Sequence, residues 1–332
     1  MHSITLAELI TKAGKLKASD IHLMAGHKPY IRGKEGSIQP YTDEEPLTTG
    51  SIIKLLKPVL SVSQEIQLQK EGDIDLAMTA GSIRTRINAF RAENGLSVAI
   101  RLLKDRIPTM NELGLPMSVQ SLINQSHGLV LFTAPTGNGK STSIASMLEA
   151  VNERQQKRVI TIEDPIEYIY PEGNSLFSQR AVGRDCPDFF HGLRSALREN
   201  PDIILIGEMR DRDTILAAIS AAETGHLVFS TLHSADAVEA IDRIMQYFPS
   251  GQQELVRSQF SNAFLGIIAQ KLLPRRDKQG RIAAFEVVLA TDATKAVIRS
   301  GKTNTLKSYM STRDGMLQME TSVQALKSRL LI

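Results

Sequence analysis

The chain has 332 residues, 42% of them apolar, and a formal net charge of +3. The length favours two domains, and the apolar share is ample for two packed cores. No apolar run reaches the about 18 residues of a membrane-spanning helix, the lone Cys186 excludes an internal disulfide and any multi-cysteine metal site, and Lys and Arg are dispersed among acids, so nucleic acid is not an expected partner.

The first residues lack the basic start and apolar run of a secretory leader. Leu6, Leu9, Ile10, Ala13 and Leu16 are spaced as one face of an amphipathic helix. The chain is therefore expected in the cytoplasm. Gly72–Met78 alternates like a strand, and so does Ser82–Phe90. In the latter, Ile83, Thr85, Ile87 and Ala89 share one face while Arg84, Arg86, Asn88 and Phe90 share the other. Asn94-Gly95 signals a hairpin turn. Leu96–Leu103 returns as a strand, with Arg101 on the face opposite Leu96, Val98, Ile100 and Leu102. Residues 1–99 are expected to form a small α+β domain. Residues 100–117, with Pro108 and Pro116, are expected to be a linker.

From 118 to 332 the pattern becomes α/β. Strands are expected at Leu129–Thr133, Arg158–Ile162, Ile203–Gly207 and His226–Leu232, with helices at 139–153, 187–199 and 212–224 between them. Near-continuous apolar strands alternating with helices imply a parallel sheet buried on both faces. Helical patterns return at 235–247 and 251–272, followed by a strand at Arg281–Leu289 and a mixed tail.

Between the first strand and first helix of this region stands Gly128–Ser141, GLVLFTAPTGNGKS. It has the spacing of a phosphate-binding loop, with Ala134 where the strict pattern has Gly. Gly137 and Gly139 let successive N–H groups turn toward one anion, and the helix that follows adds its positive end. Lys140 is expected at the β- and γ-phosphates, and the Ser141 hydroxyl on Mg²⁺. Pro135, Thr136, Gly137, Asn138, Gly139, Lys140, Ser141 and Thr142 form the expected nucleotide-binding set.

Such loops take partners from the carboxyl ends of neighbouring strands. Ile203–Ile206 runs into Gly207-Glu208, so Glu208 is expected to hold Mg²⁺ or its water shell. Val159–Ile162 runs into Glu163-Asp164, so Glu163 is expected to orient or deprotonate the attacking water. His226 and His233 bracket one strand seven residues apart, on opposite faces if it is regular. His233, at the carboxyl end, is expected to sense the γ-phosphate, and His226 to be structural or to face an interface. No obvious arginine finger lies in this region, and Arg84, Arg86 and Arg101 could be delivered across a subunit interface. Arg194 and Arg198, four apart on one expected helix, are rival candidates for that finger and are expected instead to hold Asp or Glu at an interface.

In this order the motifs resemble the secretion-type ATPase superfamily, specifically the PilT-like pilus retraction ATPases of type IV pilus systems. The resemblance rests on Ala18-Ser-Asp-Ile-His22-Leu, Arg84-Thr-Arg-Ile-Asn-Ala-Phe90, the phosphate loop, and Thr161-Ile-Glu-Asp-Pro-Ile-Glu167. It continues through Leu193–Arg210, which contains the Walker B element, and Ala221–His233, which is similar to the His box. It implies a homohexameric ring of PAS-like N-terminal and RecA-like ATPase domains, with a C-terminal helical region. ATP would sit between subunits, with Arg84, Arg86 and Arg101 matching arginines that approach it from the N-terminal domain. It further implies a motor of pilus retraction and twitching motility, docked at the inner membrane through a pilus platform protein. Pilus-assembly and type II secretion ATPases usually carry a longer N-terminal region and a four-cysteine motif; this chain has neither. Retraction ATPases carry Ala-Ile-Arg-Asn-Leu-Ile-Arg-Glu, where this chain has Ala293-Thr-Lys295-Ala-Val-Ile-Arg299-Ser300. A retraction motor, an assembly or secretion ATPase, and an ATP-binding ring regulating a sister ATPase all remain open at this point.

Overall fold

Two sheets organise the chain. The computed structural model describes residues 4–33, 37–41, 45–103 and 106–332. Lys104 and Asp105 of the expected linker lie outside the described residues, as do 1–3, 34–36 and 42–44 of the expected first domain. The chain divides into two compact units. The first is Met1–Arg106 with Asp164–Ile169 and Ala181–Asp185; the second is Ile107–Glu163, Tyr170–Arg180 and Cys186–Ile332.

The first unit contains α1 (Leu6–Lys15), β1 (Asp20–Met24), β2 (Tyr30–Arg32), β3 (Ile38–Pro40), α2 (Thr49–Leu56), α3 (Val62–Lys70), β4 (Asp73–Ala80), β5 (Ile83–Ala92) and β6 (Gly95–Leu102). Its sheet runs β3-β2-β1-β6-β5-β4. One register row reads Ile31, Ile21, Ile100, Ile87, Leu76 across five strands. Directly opposed residues share a face, so this row is one side of the core, and each side chain is at most 3% exposed. Burying each stabilises the fold by about 1.5–3 kcal/mol.

Thr5 and Glu8 start α1 with a reciprocal capping box. Leu6, Leu9, Ile10 and Ala13 of α1 are buried, but Leu16 is 61% exposed. Leu16 is the C-cap, and its backbone has already left the helical phase. The expected hairpin is present, with Glu93-Asn94 as its loop, because Ala92 pairs with Gly95.

The second unit contains α4 (Met117–Gln120), β7 (Gly128–Thr133), α5 (Lys140–Arg154), β8 (Arg158–Glu163), β9 (Leu176–Ala181), α6 (Phe189–Ala196), β10 (Ile203–Ile206) and α7 (Arg212–Glu223). It continues with β11 (Leu227–Leu232), α8 (Ala237–Gln246), α9 (Ser250–Ala263), β12 (Phe264–Pro274), β13 (Arg281–Leu289), α10 (Asp292–Ser300) and α11 (Met319–Ser328). The sheet order is β13-β12-β7-β11-β10-β8-β9. The β12-β7-β11-β10-β8 neighbours are parallel, and β13 is antiparallel to β12. Every residue of β7, β10 and β11 is buried, as a sheet covered on both faces requires.

Two expectations need correction here. The segment expected as one helix over 251–272 is α9 followed by β12. Phe264–Ala269 pairs with β7, a central strand, and that burial outweighs the helical spacing of its apolar residues. The helix expected over 187–199 ends at Ala196, so Arg198 lies beyond it. The Arg198 guanidinium donates to the Arg194 carbonyl at 3.1 Å.

Candidate functional site

The phosphate loop bridges β7 and α5. Gly137 and Gly139 take φ of +78° and +84°, conformations open to glycine at little cost. Gly139 is the N-cap of α5 and supplies no capping side chain. Helices α6, α7 and α8 differ, because Asp188, Asp211 and Asp236 cap them. The first amides of α5 therefore carry no side-chain cap, the condition for receiving an anion. Lys140 is buried, and its ammonium donates to the Ala134 carbonyl at 2.6 Å. Asn138 Nδ2 donates to the Pro135 carbonyl at 3.2 Å, closing the turn. Pro135, Thr136, Gly137 and Ser141 are exposed, and Thr142 is half-buried.

The loop is braced from β12 and β13, a contribution hidden by reading 264–272 as helix. Gln270, 4% exposed, donates through Nε2 to the Asn138 carbonyl at 2.7 Å and accepts from the Ser143 hydroxyl at 2.8 Å. The Leu272 N–H donates to Asn138 Oδ1 at 2.9 Å, and Arg281 donates to the Gly137 carbonyl at 3.1 Å.

The sheet order then determines which side chains meet. Strand β11 lies between β7 and β10. His233, just past β11, accordingly stands between the Lys140 loop and Glu208, just past β10. His233 Nε2 is 3.3 Å from Glu208 Oε1. Burial pushes the His233 pKa below the ordinary histidine range; the Lys140 and Arg243 charges push the same way, against the pull of Glu208. The neutral ring is thus favoured near pH 7, able to donate one hydrogen bond and accept another. Arg243 ties the His233 carbonyl at 2.7 Å, and the Ser234 N–H donates to the Thr133 hydroxyl at 2.9 Å. His226 stands apart, its Nδ1 3.0 Å from the Ala221 carbonyl.

Glu208 Oε2 accepts from Arg210 Nε at 2.7 Å. The Thr231 hydroxyl holds the Gly207 carbonyl at 2.6 Å. A Cβ at Gly207 would lie 3.2 Å from the Ile162 carbonyl and 3.4 Å from Glu163 Cα. Glycine there lets the ends of β8 and β10 approach closely, which puts Glu163 beside the Glu208 segment. Glu163 Oε1 accepts from the Thr161 hydroxyl at 2.6 Å and from Gln179 Nε2 at 3.3 Å. Gln179 comes from β9, a strand without a strong sequence signal.

The donors suit magnesium. Ser141 and Glu208 offer hard oxygens at the carboxyl end of one sheet. Among the described residues no cluster of three or more His, Cys, Asp or Glu is placed to hold a metal by itself. Magnesium that keeps water and phosphate ligands needs no such cage.

Arg84, Arg86 and Arg101 belong to the first unit, on the face of its sheet opposite the isoleucine row. Arg84 donates to the Ile166 carbonyl at 3.2 and 2.9 Å and to the Thr79 hydroxyl at 3.1 Å. Arg86 pairs with Asp75 at 3.2 Å and Arg101 with Asp20 at 3.1 Å.

A family model described as "Type II/IV secretion system protein" matches residues 2–327. The chain is 39% identical over 323 residues to the type IV pilus retraction ATPase PilT of Pseudomonas aeruginosa, covering 97% of this chain and 93% of that protein. It is 37% identical over 325 residues to YggR of Escherichia coli K12, covering 97% and 98%. Among solved structures, that of the pilus retraction motor PilT with bound ADP superposes with a TM-score of 0.89 at 40% identity, covering 99% of this chain and 95% of that one.

Proposed function

The chain belongs to the Type II/IV secretion system protein family, and from that membership we propose that it is a ring-forming motor that hydrolyses ATP to retract type IV pili. It is an ATP hydrolase with a RecA-like P-loop ATPase domain and a smaller α+β (PAS-like) N-terminal domain. One observation carries the mechanistic reading: adjacent parallel strands β7, β11, β10 and β8 end in the phosphate loop, His233, Glu208 and Glu163.

In this reading the amides of Gly137–Lys140 and the Lys140 ammonium bind the polyphosphate. Ser141 and Glu208 hold the magnesium shell, whose charge offsets that on the β- and γ-phosphates. Glu163 orients the attacking water and takes its proton as the bond between the γ-phosphorus and its bridging oxygen breaks, leaving ADP and phosphate. His233 reads the γ-phosphate from between the loop and Glu208. Arg84, Arg86 and Arg101 reach the nucleotide of a neighbouring subunit, where an arginine contributes about 10³–10⁵ in rate. A head-to-tail interface that closes on itself gives a ring, here a homohexamer. Nucleotide turnover at that interface would move one domain against another. Among the described residues no helix is long and apolar enough to cross a membrane. Docking at the inner membrane from the cytoplasm is accordingly assigned to a pilus platform protein.

Counting surface pili in cells lacking the protein tests the direction of the motor. Excess pili support retraction, and bald cells overturn it in favour of assembly. A second reading is favoured by Lys295 and Ser300 on α10, where the retraction motif carries Arg and Glu. There the ring acts with, or regulates, a sister ATPase. Cells carrying Glu208→Gln separate the two, because a regulatory ring keeps its phenotype with this substitution and a motor loses it.

A further inference from the structure

Two successive peptide groups of the phosphate loop are held by their carbonyls from the β12–β13 hairpin. Arg281 Nη1 donates to the Gly137 carbonyl at 3.1 Å, and Gln270 Nε2 donates to the Asn138 carbonyl at 2.7 Å. In a planar trans peptide the carbonyl and the N–H that follows it point in opposite directions. The Asn138 and Gly139 N–H groups therefore turn away from the hairpin, and among the described residues neither has an acceptor within the chain. The space beside Gly137 is open, since a Cβ there would meet nothing within 4 Å. Of the two donors only Arg281 is charged. It opens β13 opposite Pro274 and is exposed. Arg275, at the same end of the hairpin, is paired with Asp277 at 2.7 Å. Arg281 instead spends its hydrogen bond on the loop.

A hydrogen bond from a charged donor is about twice as strong as a neutral one, and bonds in a chain polarise one another, so a cation on a carbonyl strengthens the N–H of the same peptide as a donor. We propose that Arg281 is a positioning residue for the nucleotide's phosphates, aiming the Asn138 amide at them through the Gly137 carbonyl. It acts through the loop backbone and adds a positive charge behind it. The contact is a single bond from Nη1, so it asks for one charged donor and not for the planar fork of a guanidinium. The inference rests on the reading of Gly137–Lys140 as the polyphosphate cradle.

The test is a pair of titrations on the full chain, one with ADP by calorimetry and one with inorganic pyrophosphate by displacement of a fluorescent ADP analogue. Arg281→Ala should weaken both ligands by the same factor, roughly five-fold, the scale of one hydrogen bond. Equal losses place the effect at the phosphates, which are all that the two ligands share. In steady state the KM for ATP should rise with kcat nearly unchanged, the mark of binding lost equally from ground and transition states. Arg281→Lys should stay near the parent in all three measurements, because it keeps a charged donor. Parent affinity for pyrophosphate in Arg281→Ala overturns the proposal, whether or not the melting temperature falls. Arg281→Lys as weak as Arg281→Ala overturns it too, as does a fall in kcat at unaltered KM. Nucleotide binding that survives in Lys140→Ala would instead remove the cradle itself. Loss of binding in Lys140→Ala beside parent affinity in Arg281→Ala would leave the cradle standing and remove only the role of Arg281, so the two failures are distinguishable.

Discussion

Arg86 and Arg101 stand directly opposite each other on β5 and β6, two like charges on one face of the first sheet. Opposed like charges disfavour a strand pair. Each is drawn aside by a carboxylate on an outer neighbour, Arg86 by Asp75 of β4 and Arg101 by Asp20 of β1. Asp20 also lies 3.9 Å from Arg32 of β2.

Arg101 is the most exposed of the arginines in these pairs, at 72%. Arg101→Ala should change stability by less than about 0.5 kcal/mol and lower turnover by about 10³-fold. Thermal melting and steady-state turnover check both parts. Normal turnover in the variant would remove Arg101 from the catalytic set. Mixing Arg84→Ala with Glu163→Ala subunits should restore part of the activity at mixed interfaces, provided mixed rings form.

Lys140 donates to the Ala134 carbonyl, a backbone group of its own loop. Lys140→Ala should therefore leave the circular dichroism spectrum intact while abolishing ATP turnover. Turnover at the parent rate would sink the assignment of the whole loop.

Gln270 joins the phosphate loop to Ser143 of α5. Gln270→Ala leaves the Asn138 carbonyl and the Ser143 hydroxyl without these partners, at a cost of about 1–3 kcal/mol. Part of that cost should appear as nucleotide affinity weaker by about ten-fold, measured by titration calorimetry. Unaltered affinity with a lowered melting temperature would make Gln270 a core residue only.

Glu286 of β13 is 1% exposed and accepts from the Ala237 N–H at 2.9 Å. Burial raises its pKa; the Ala237 N–H opposes the rise, Asp236 and Glu320 add to it, and Lys307 counters. The folded state thus retains a proton that the unfolded state has already lost. Stability from this group is present below the ordinary carboxylate pKa and is lost as pH rises through the raised value. Glu286→Gln keeps the acceptor and removes the titration. Urea melts should find it more stable than the parent at pH 8, with the difference closing toward pH 4. A constant offset across that range would rule out the titration.

The phosphate loop and the acids after β8 and β10 were legible in the sequence because each follows a short apolar run that can only be a buried strand. The fold class followed from the same alternation. The order of those strands was not legible. Nothing local to Leu227–Leu232 says that β11 inserts between β7 and β10, so the closeness of His233 to Glu208 emerges only from the assembled sheet. Phe264, Ile267, Ile268 and Leu272 repeat at helical spacing, and that concealed β12 together with Gln270. Leu16 followed the same spacing one turn too far. Gln179 lies on an edge strand of half-buried residues, where no periodicity announces a structural role.

Asn138 and Gln270 are 132 residues apart in the chain. On a ribosome adding about 5–20 residues per second, the loop therefore waits roughly seven to twenty-six seconds for its brace. A nascent or truncated chain ending before β12 carries the whole glycine-rich motif yet lacks the strand that shapes it. The nucleotide-binding loop is thus made long before the side chain that steadies the Asn138 carbonyl.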